Sequence, residues 1–207
     1  MGGLIAFGVQ LIALTDARTQ REGDRRLTQQ ALANSLLFKM IRIYSNFHGI
    51  RGHIERCFEE ATKKGFRGEA WQFVMPLANP PDHVHFSSDE MGMLLSQKDD
   101  DVFNVVVEMD VIHNSLIEAL KVMQTLRMDL AHQLVPEEFE GNKVSGVMST
   151  AEAMKLRPKM IEVNMLIDQV RAMATRDFAE CGIALERLHV LLRRTLGLSY
   201  KLTKKIT

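Results

Sequence analysis

Cysteine, tryptophan and tyrosine are scarce in this chain, and the scarcity excludes several classes of protein. The 207 residues include two cysteines, one tryptophan and two tyrosines. Cys57 and Cys181 form neither a disulfide framework nor the close Cys-x-x-Cys spacing of zinc and redox sites, which fits a reducing compartment. The aromatic residues are too few, and too apolar in their surroundings, to stack nucleic-acid bases. We therefore predict no nucleic-acid partner.

The chain also lacks a net charge. Lysine plus arginine and aspartate plus glutamate each number 26, so no overall field draws the protein toward an anionic polymer. The charges are nevertheless uneven along the chain. Residues 87–110 hold seven acids and one base, whereas residues 187–207 hold six bases and no acid. We expect either the surface of the helical rod or the acidic stretch to contact a protein partner, and the basic end either to approach an anionic surface or to be a solvated tail.

No known catalytic template occurs in the sequence. It has no glycine-rich phosphate loop, no nucleophile-elbow serine and no zincin helix. An acid-x-x-His pattern recurs four times, as Asp82/His85, Asp110/His113, Asp129/His132 and Glu186/His189. A di-metal helical bundle needs further inward-facing carboxylates, which the predicted core positions lack. We predict no catalytic, cofactor-binding or metal-binding residue; the alternative is a metal-dependent helical-bundle enzyme that uses the second and fourth pairs.

The chain is rich in apolar residues at the spacing of an α-helix. Such spacing covers residues 27–58, 99–134 and 149 to about 195. In the first range it includes Leu37, Tyr44 and Phe58, with Arg51 in one gap. In the third range it slips by one residue before Phe178. These patterns predict three long helices with a partly coiled-coil core.

Other residues predict where the helices begin and end. Ser87 with Glu90, and Ser149 with Glu152, have the spacing of a capping box, which begins a short helix and the last long helix. Pro158 predicts a kink in that last helix or a later start. The predicted fold is all-α, an elongated antiparallel bundle of three long helices plus one short helix, with an apolar N-terminal helix.

Two polar residues fall on the apolar spacing of residues 99–134. We expect His113 to be a core histidine hydrogen-bonded to a neighbouring helix, and Arg127 to help fix the register of the helices. His83 and His85 form a His-x-His pair without a nearby third ligand. We therefore expect this pair to lie at the surface.

Residues 2–14, GGLIAFGVQLIAL, contain no charge. As a helix they would be about 20 Å long, shorter than the roughly 30 Å of a bilayer core. Four arginines follow at once, which by the positive-inside tendency places that flank in the cytoplasm: Arg18, Arg21, Arg25 and Arg26. We predict that residues 1–16 are a membrane-anchor segment, complete or truncated, and that residues 17–207 are a helical bundle domain.

The sequence therefore predicts a membrane-anchored helical-bundle protein, cytoplasmic in its bulk, with a protein-interaction or scaffolding role and no catalysis. Its predicted partners are membrane lipid, contacted through residues 2–14, an unidentified protein, and further copies of itself. A soluble coiled-coil oligomerisation module is a further alternative.

Overall fold

Helices account for most of the chain in the computed structural model. It describes the backbone of residues 2–133, 138–140, 143–145 and 149–198, and the side chains of residues 16–133 and 149–198. The predicted all-α class is confirmed. A short antiparallel hairpin pairs Glu138 with Ser145. The elements are α1 (Gly2–Lys63), α2 (Ala70–Phe73), α3 (Ser88–Leu95), α4 (Asp100–Gln133), β1 (Glu138–Glu140), β2 (Lys143–Ser145) and α5 (Thr150–Leu196).

The predicted helix boundaries are confirmed by their hydrogen bonds. The Ser87 hydroxyl accepts from the Glu90 N–H, and the Glu90 carboxylate accepts from the Ser87 N–H, so that α3 begins with a capping box. Ser149 and Glu152 make the same reciprocal bonds before α5. After α1, Gly65 has a φ of 66°, the left-handed conformation that ends many helices.

The buried face of α1 follows the predicted spacing only in part: Leu37 is buried, as predicted. Tyr44, Arg51 and Phe58 are only half-buried, at the edge of the core. Ile50 fills the place that the sequence assigned to Arg51, and the Arg51 guanidinium lies over the Phe178 ring instead. The buried apolar side chains of α1 are Ala33, Leu36, Leu37, Met40, Ile43, Phe47, Ile50, Ile54 and Ala61.

The predicted slip in α5 is wrong. The buried side chains keep steps of three and four residues through the region because Asp177, not Phe178, occupies the core position. Counting only apolar residues could not reveal an aspartate in that place. Pro158 lies inside α5, which begins at Thr150, so the prediction of a later start is also wrong. The positions in register are Val163, Ile167, Val170, Ala174, Asp177, Cys181, Ala184 and Leu188.

The chain divides into two compact units. Unit 1 comprises Met1–Ile41, His85–Val107 and Ala184–Thr207; unit 2 comprises Arg42–Val84 and Glu108–Ile183. The core of unit 1 includes Leu36, Leu37, Met40, Leu94, Val106, Leu188 and Leu192. The core of unit 2 includes Phe47, Ile50, Ile54, Met109, Leu116, Leu120, Val163, Ile167 and Val170.

In unit 1, the carboxylate of Glu90 fastens α3 to α1. Its side chain is buried, and its two oxygens accept hydrogen bonds from Ser35 Oγ at 2.6 Å and Lys39 Nζ at 2.7 Å. Burial alone would raise the pKa of Glu90, but the hydrogen bonds from Lys39, Ser35 and the Ser87 N–H lower that pKa below its ordinary value. Glu90 is therefore held in its charged form.

The start of α1 contains the predicted anchor. Residues 2–14 are helical, and their side chains lie outside the described residues. Along the described part of the chain, no helix is both long and apolar enough to cross a membrane. Residues 16–28 continue α1 and are exposed, and Ala33 is the first buried side chain among those described.

Candidate interaction surface

The first turns of α5 carry apolar side chains on two faces. Leu156, Val163 and Ile167 are buried in the core of unit 2. A second set of residues lies on the opposite face, at steps of four, three and four, and is exposed. We call this set the outer stripe: Met154, Pro158, Ile161 and Met165.

The outer stripe leaves large apolar side chains in water. The exposed fractions are 71% for Met154, 48% for Ile161 and 66% for Met165. Full burial of such a side chain is favourable by about 1.5–3 kcal/mol. A contiguous exposed patch of this kind is typical of a protein-interaction site, whereas singly scattered apolar side chains are not.

A groove runs beside the outer stripe within unit 2. We call it the α5 groove; its volume is about 720 Å³, and Val122 of α4 forms part of its wall. Arg157 and Glu162 also line it, one on each side of the stripe. The surface therefore combines an apolar centre with one basic and one acidic margin, as in a helix–helix interface.

The residues between α1 and α3 hold one margin of this surface in place. Asn164 of α5 accepts a hydrogen bond from the Trp71 N–H at 2.9 Å and donates one to Glu69 Oε2 at 2.9 Å. Glu69 Oε2 also accepts from Trp71 Nε1 at 3.0 Å. These bonds attach α2 to α5 and fix the position of this margin.

Arg127 supports the same segment. Its Nε donates to the carbonyl oxygen of Trp71 at 3.1 Å, and its guanidinium is partly desolvated, which lowers the pKa of Arg127 from its ordinary value. The sequence predicted that Arg127 fixes the register of the long helices. The observed hydrogen bond instead goes to the short α2.

The predicted role of His113 is confirmed. The side chain is fully buried, and Asn46 of α1 donates from Nδ2 to its Nε2 at 2.9 Å. Its Nδ1 lies 3.1 Å from Asn114 Oδ1. Asn114 in turn accepts from the Val84 N–H and donates to the Val84 carbonyl oxygen, at 3.1 and 2.9 Å.

The acid-x-x-His pairs differ in their exposure and in their hydrogen bonds. Asp110 accepts from Asn114 Nδ2 at 2.9 Å. Asp129 and His132 are exposed on α4. Within residues 16–133 and 149–198, no three histidine, cysteine, aspartate or glutamate side chains are grouped so that they could hold a metal ion. Of the His-x-His pair, His83 Nε2 lies 2.7 Å from Glu118 Oε1.

Some acids of the stretch 87–110 are buried or bonded within unit 1. Glu90 is buried, and Asp99 Oδ1 accepts from the Val102 N–H at the start of α4. Asp99 Oδ2 also lies 3.9 Å from Arg194 Nη2. A second groove, of about 490 Å³, has acids and bases side by side, so its charges largely cancel; it is lined by Asp99, Asp101, Val102, Glu186, Arg187, Val190, Leu191 and Arg194.

Neither cysteine has the surroundings of a catalytic nucleophile. Burial raises the pKa of the Cys181 thiol to about 12, and the charge of Asp177 adds to the effect. His53 Nε2 lies 3.9 Å from Cys57 Sγ, but also 2.7 Å from the Met75 carbonyl oxygen. To bond that carbonyl, Nε2 must carry a hydrogen, so it cannot also accept the Cys57 proton.

Two features escaped the sequence analysis. Asp177 is fully buried, and its Oδ2 has no hydrogen-bond partner among the described residues. The outer stripe was visible as a second four-three-four spacing, displaced by two residues from the core spacing that begins at Leu156.

Comparison with protein-family models, curated proteins and solved structures finds no match to this chain.

Proposed function

We propose that this protein is a membrane-tethered interaction protein: a helical bundle, partly coiled coil, held at the cytoplasmic side of a bilayer by residues 2–14. The observation that carries the proposal is the continuity of α1. This one helix extends from Gly2 to Lys63, so the uncharged stretch and the buried core belong to the same element.

The exposed stretch of α1 supports the tether. Residues 16–28 lie outside the core and include four arginines that follow the uncharged run. Each basic residue near an anionic surface favours binding by about 1 kcal/mol. We place this uncharged run, about 20 Å long as a helix, in the lipid.

The outer stripe supports the interaction role. Met154, Ile161 and Met165 are exposed beside the α5 groove, and Asp110, a member of the second acid-x-x-His pair, accepts a hydrogen bond from Asn114. An apolar surface with charged margins fits a helical protein partner better than a small substrate.

Flotation with lipid vesicles tests the tether. Full-length protein is mixed with vesicles of phosphatidylcholine and phosphatidylglycerol and centrifuged through a density gradient. We expect the wild type to float, and a Leu11→Asp/Ile12→Asp variant to remain at the bottom, because two charges within the run make its transfer into lipid unfavourable.

A matched control places the same two charges elsewhere. Val111 and Val190 are exposed on α4 and α5, at 61% and 62%, so a Val111→Asp/Val190→Asp variant tests for a general effect of added charge. This control should float like the wild type. Wild-type protein that stays at the bottom of the gradient, or control protein that fails to float, contradicts the tether.

A further inference from the structure

The outer stripe has the spacing of one strand of a two-stranded coiled coil. Met154 and Ile161 are one heptad apart, as are Pro158 and Met165, and the two sets alternate along the helix. The core side chains Leu156 and Val163 lie on the opposite face of α5. The stripe therefore presents a complete contact face for a helix that lies alongside α5.

The charged margins of the stripe match a second copy of the same helix. In a parallel two-stranded coiled coil, the residue that precedes the first apolar position of a heptad lies across from the residue five places further along the partner helix. In the outer stripe, Pro158 is such an apolar position. That rule places Arg157 of one copy opposite Glu162 of the other. Because two-fold symmetry relates the two copies, the Arg157–Glu162 pair forms twice. The basic and the acidic margin of each copy then both face a side chain of opposite charge.

The antiparallel arrangement fits the surface less well. It would place Glu162 opposite Lys155, which does not line the α5 groove, whereas both Arg157 and Glu162 do. It would also place Arg157 opposite Asn164, whose side chain is already bonded to Glu69 and the Trp71 backbone. The parallel arrangement joins the two charged side chains that flank the groove.

We propose that two copies of this chain associate in parallel through the outer stripe of α5, with Arg157 of each copy paired to Glu162 of the other. The inference rests on the interaction role proposed above, since it names the partner, but it does not depend on the membrane tether. The two are tested separately, because association is measured in detergent without vesicles.

Sedimentation of the full-length chain in mild detergent measures the association. Ile161→Asp places a charge at the centre of the stripe and should weaken self-association by about tenfold or more. Val190→Asp makes a matched change on the exposed face of the same helix, outside the stripe, and should leave it unchanged. A monomeric wild type, or an Ile161→Asp variant that associates as the wild type does, overturns the proposal.

Charge reversal tests the orientation. Arg157→Glu and Glu162→Arg each bring like charges together twice in the parallel pair, so each should weaken association, and the double variant Arg157→Glu/Glu162→Arg should restore it. Restoration by Lys155→Glu/Glu162→Lys, with none by the first double variant, overturns the parallel pairing.

Disulfide cross-linking gives an independent readout. In the parallel pair each Met165 faces its own counterpart, so Met165→Cys in a Cys57→Ser background should form a cross-linked dimer on mild oxidation. In the antiparallel pair, position 165 of one copy lies about 16 Å from position 165 of the other. Met128→Cys, exposed on α4, is the control and should not cross-link. Cross-linking at position 128 but not at 165 overturns the proposal.

Discussion

Glu90 and Asp177 are the buried acids among the described side chains, and their surroundings differ. Glu90 is bonded to Lys39, Ser35 and the Ser87 N–H. Asp177 accepts one bond, from Arg176 Nε at 2.7 Å, and its second oxygen has no partner in the described part of the chain. A buried charge is tolerated when it is well bonded and costs free energy when it is not. We therefore expect substitutions at the two positions to have opposite effects.

Replacement of Glu90 should destabilise the protein. Glu90→Ala removes the acceptor for three donors and leaves the half-buried Lys39 charge unpaired, so the free energy of unfolding should fall by about 2–3 kcal/mol in urea titrations. Glu152→Ala is the matched control, because Glu152 occupies the same capping position in α5 but is exposed. Its effect should be clearly smaller; equal losses would contradict the role of burial.

The lowered pKa of Glu90 also predicts how the free energy of unfolding depends on pH. Its folded-state pKa lies below its ordinary value of 4.5, so its contribution is fully present above that value and is lost as the pH falls through the folded-state pKa. Between neutral pH and acid, the wild type should lose more stability than Glu90→Gln does. Parallel curves for the two proteins below pH 4.5 would show that the pKa of Glu90 does not differ between the folded and unfolded states.

Neutralisation of Asp177 should stabilise the protein. Asp177→Asn keeps the shape of the side chain and removes a buried charge that has one unbonded oxygen, so the free energy of unfolding at neutral pH should rise by on the order of 1 kcal/mol. Asp168→Asn, on the exposed face of the same helix, should change little. A loss of stability in Asp177→Asn would show that the carboxylate has a specific partner.

At the scale of elements, side chains of the long helices hold the segment that joins α1 to α3. Arg127 of α4 and Asn164 of α5 bind the backbone of Trp71, and Asn114 of α4 binds both backbone groups of Val84. A segment with little secondary structure of its own needs such partners for its buried backbone groups. The position of this segment therefore depends on a few polar side chains.

Removal of Asn114 should release the segment locally. In Asn114→Ala the backbone N–H of Val84 loses its acceptor, so its amide hydrogen should exchange much faster than in the wild type, with a loss of about 1–3 kcal/mol in stability. Hydrogen exchange with mass spectrometry measures both effects. Asn104→Ala, exposed on the same helix, is the control and should leave exchange at Val84 unchanged.

At the scale of the whole molecule, the two thiols distinguish the folded from the unfolded chain. Cys181 is buried, with its thiol pKa raised to about 12, whereas Cys57 is half-buried. The thiolate is the reactive form, so at pH 8 the folded chain should contain almost no reactive Cys181.

Iodoacetamide labelling tests this difference. The native protein should be alkylated at Cys57 only, and both cysteines should react in denaturing urea, as peptide mass spectrometry would show. Asp177→Asn should leave Cys181 protected, because burial is the larger cause of its raised pKa. Native alkylation of Cys181 at the rate of Cys57 would contradict its burial.

The amino-acid sequence by itself determined the helical class and most of the helix boundaries. Apolar spacing and capping residues are local properties, so Ser87 and Ser149 mark the start of a helix whatever the rest of the chain does. The role of His113 was also predictable, because a polar residue on a buried face needs a hydrogen-bond partner.

Only the tertiary structure decided which of two neighbouring residues faces the core. Ile50 rather than Arg51, and Asp177 rather than Phe178, are buried because of what the facing helices present, and helical spacing alone leaves a one-residue uncertainty. It also decided which of the two apolar faces of α5 is covered: the face with Leu156 is buried and the face with Met154 is exposed. Burial depends on residues distant in sequence, so local patterns could not distinguish the outer stripe from the core.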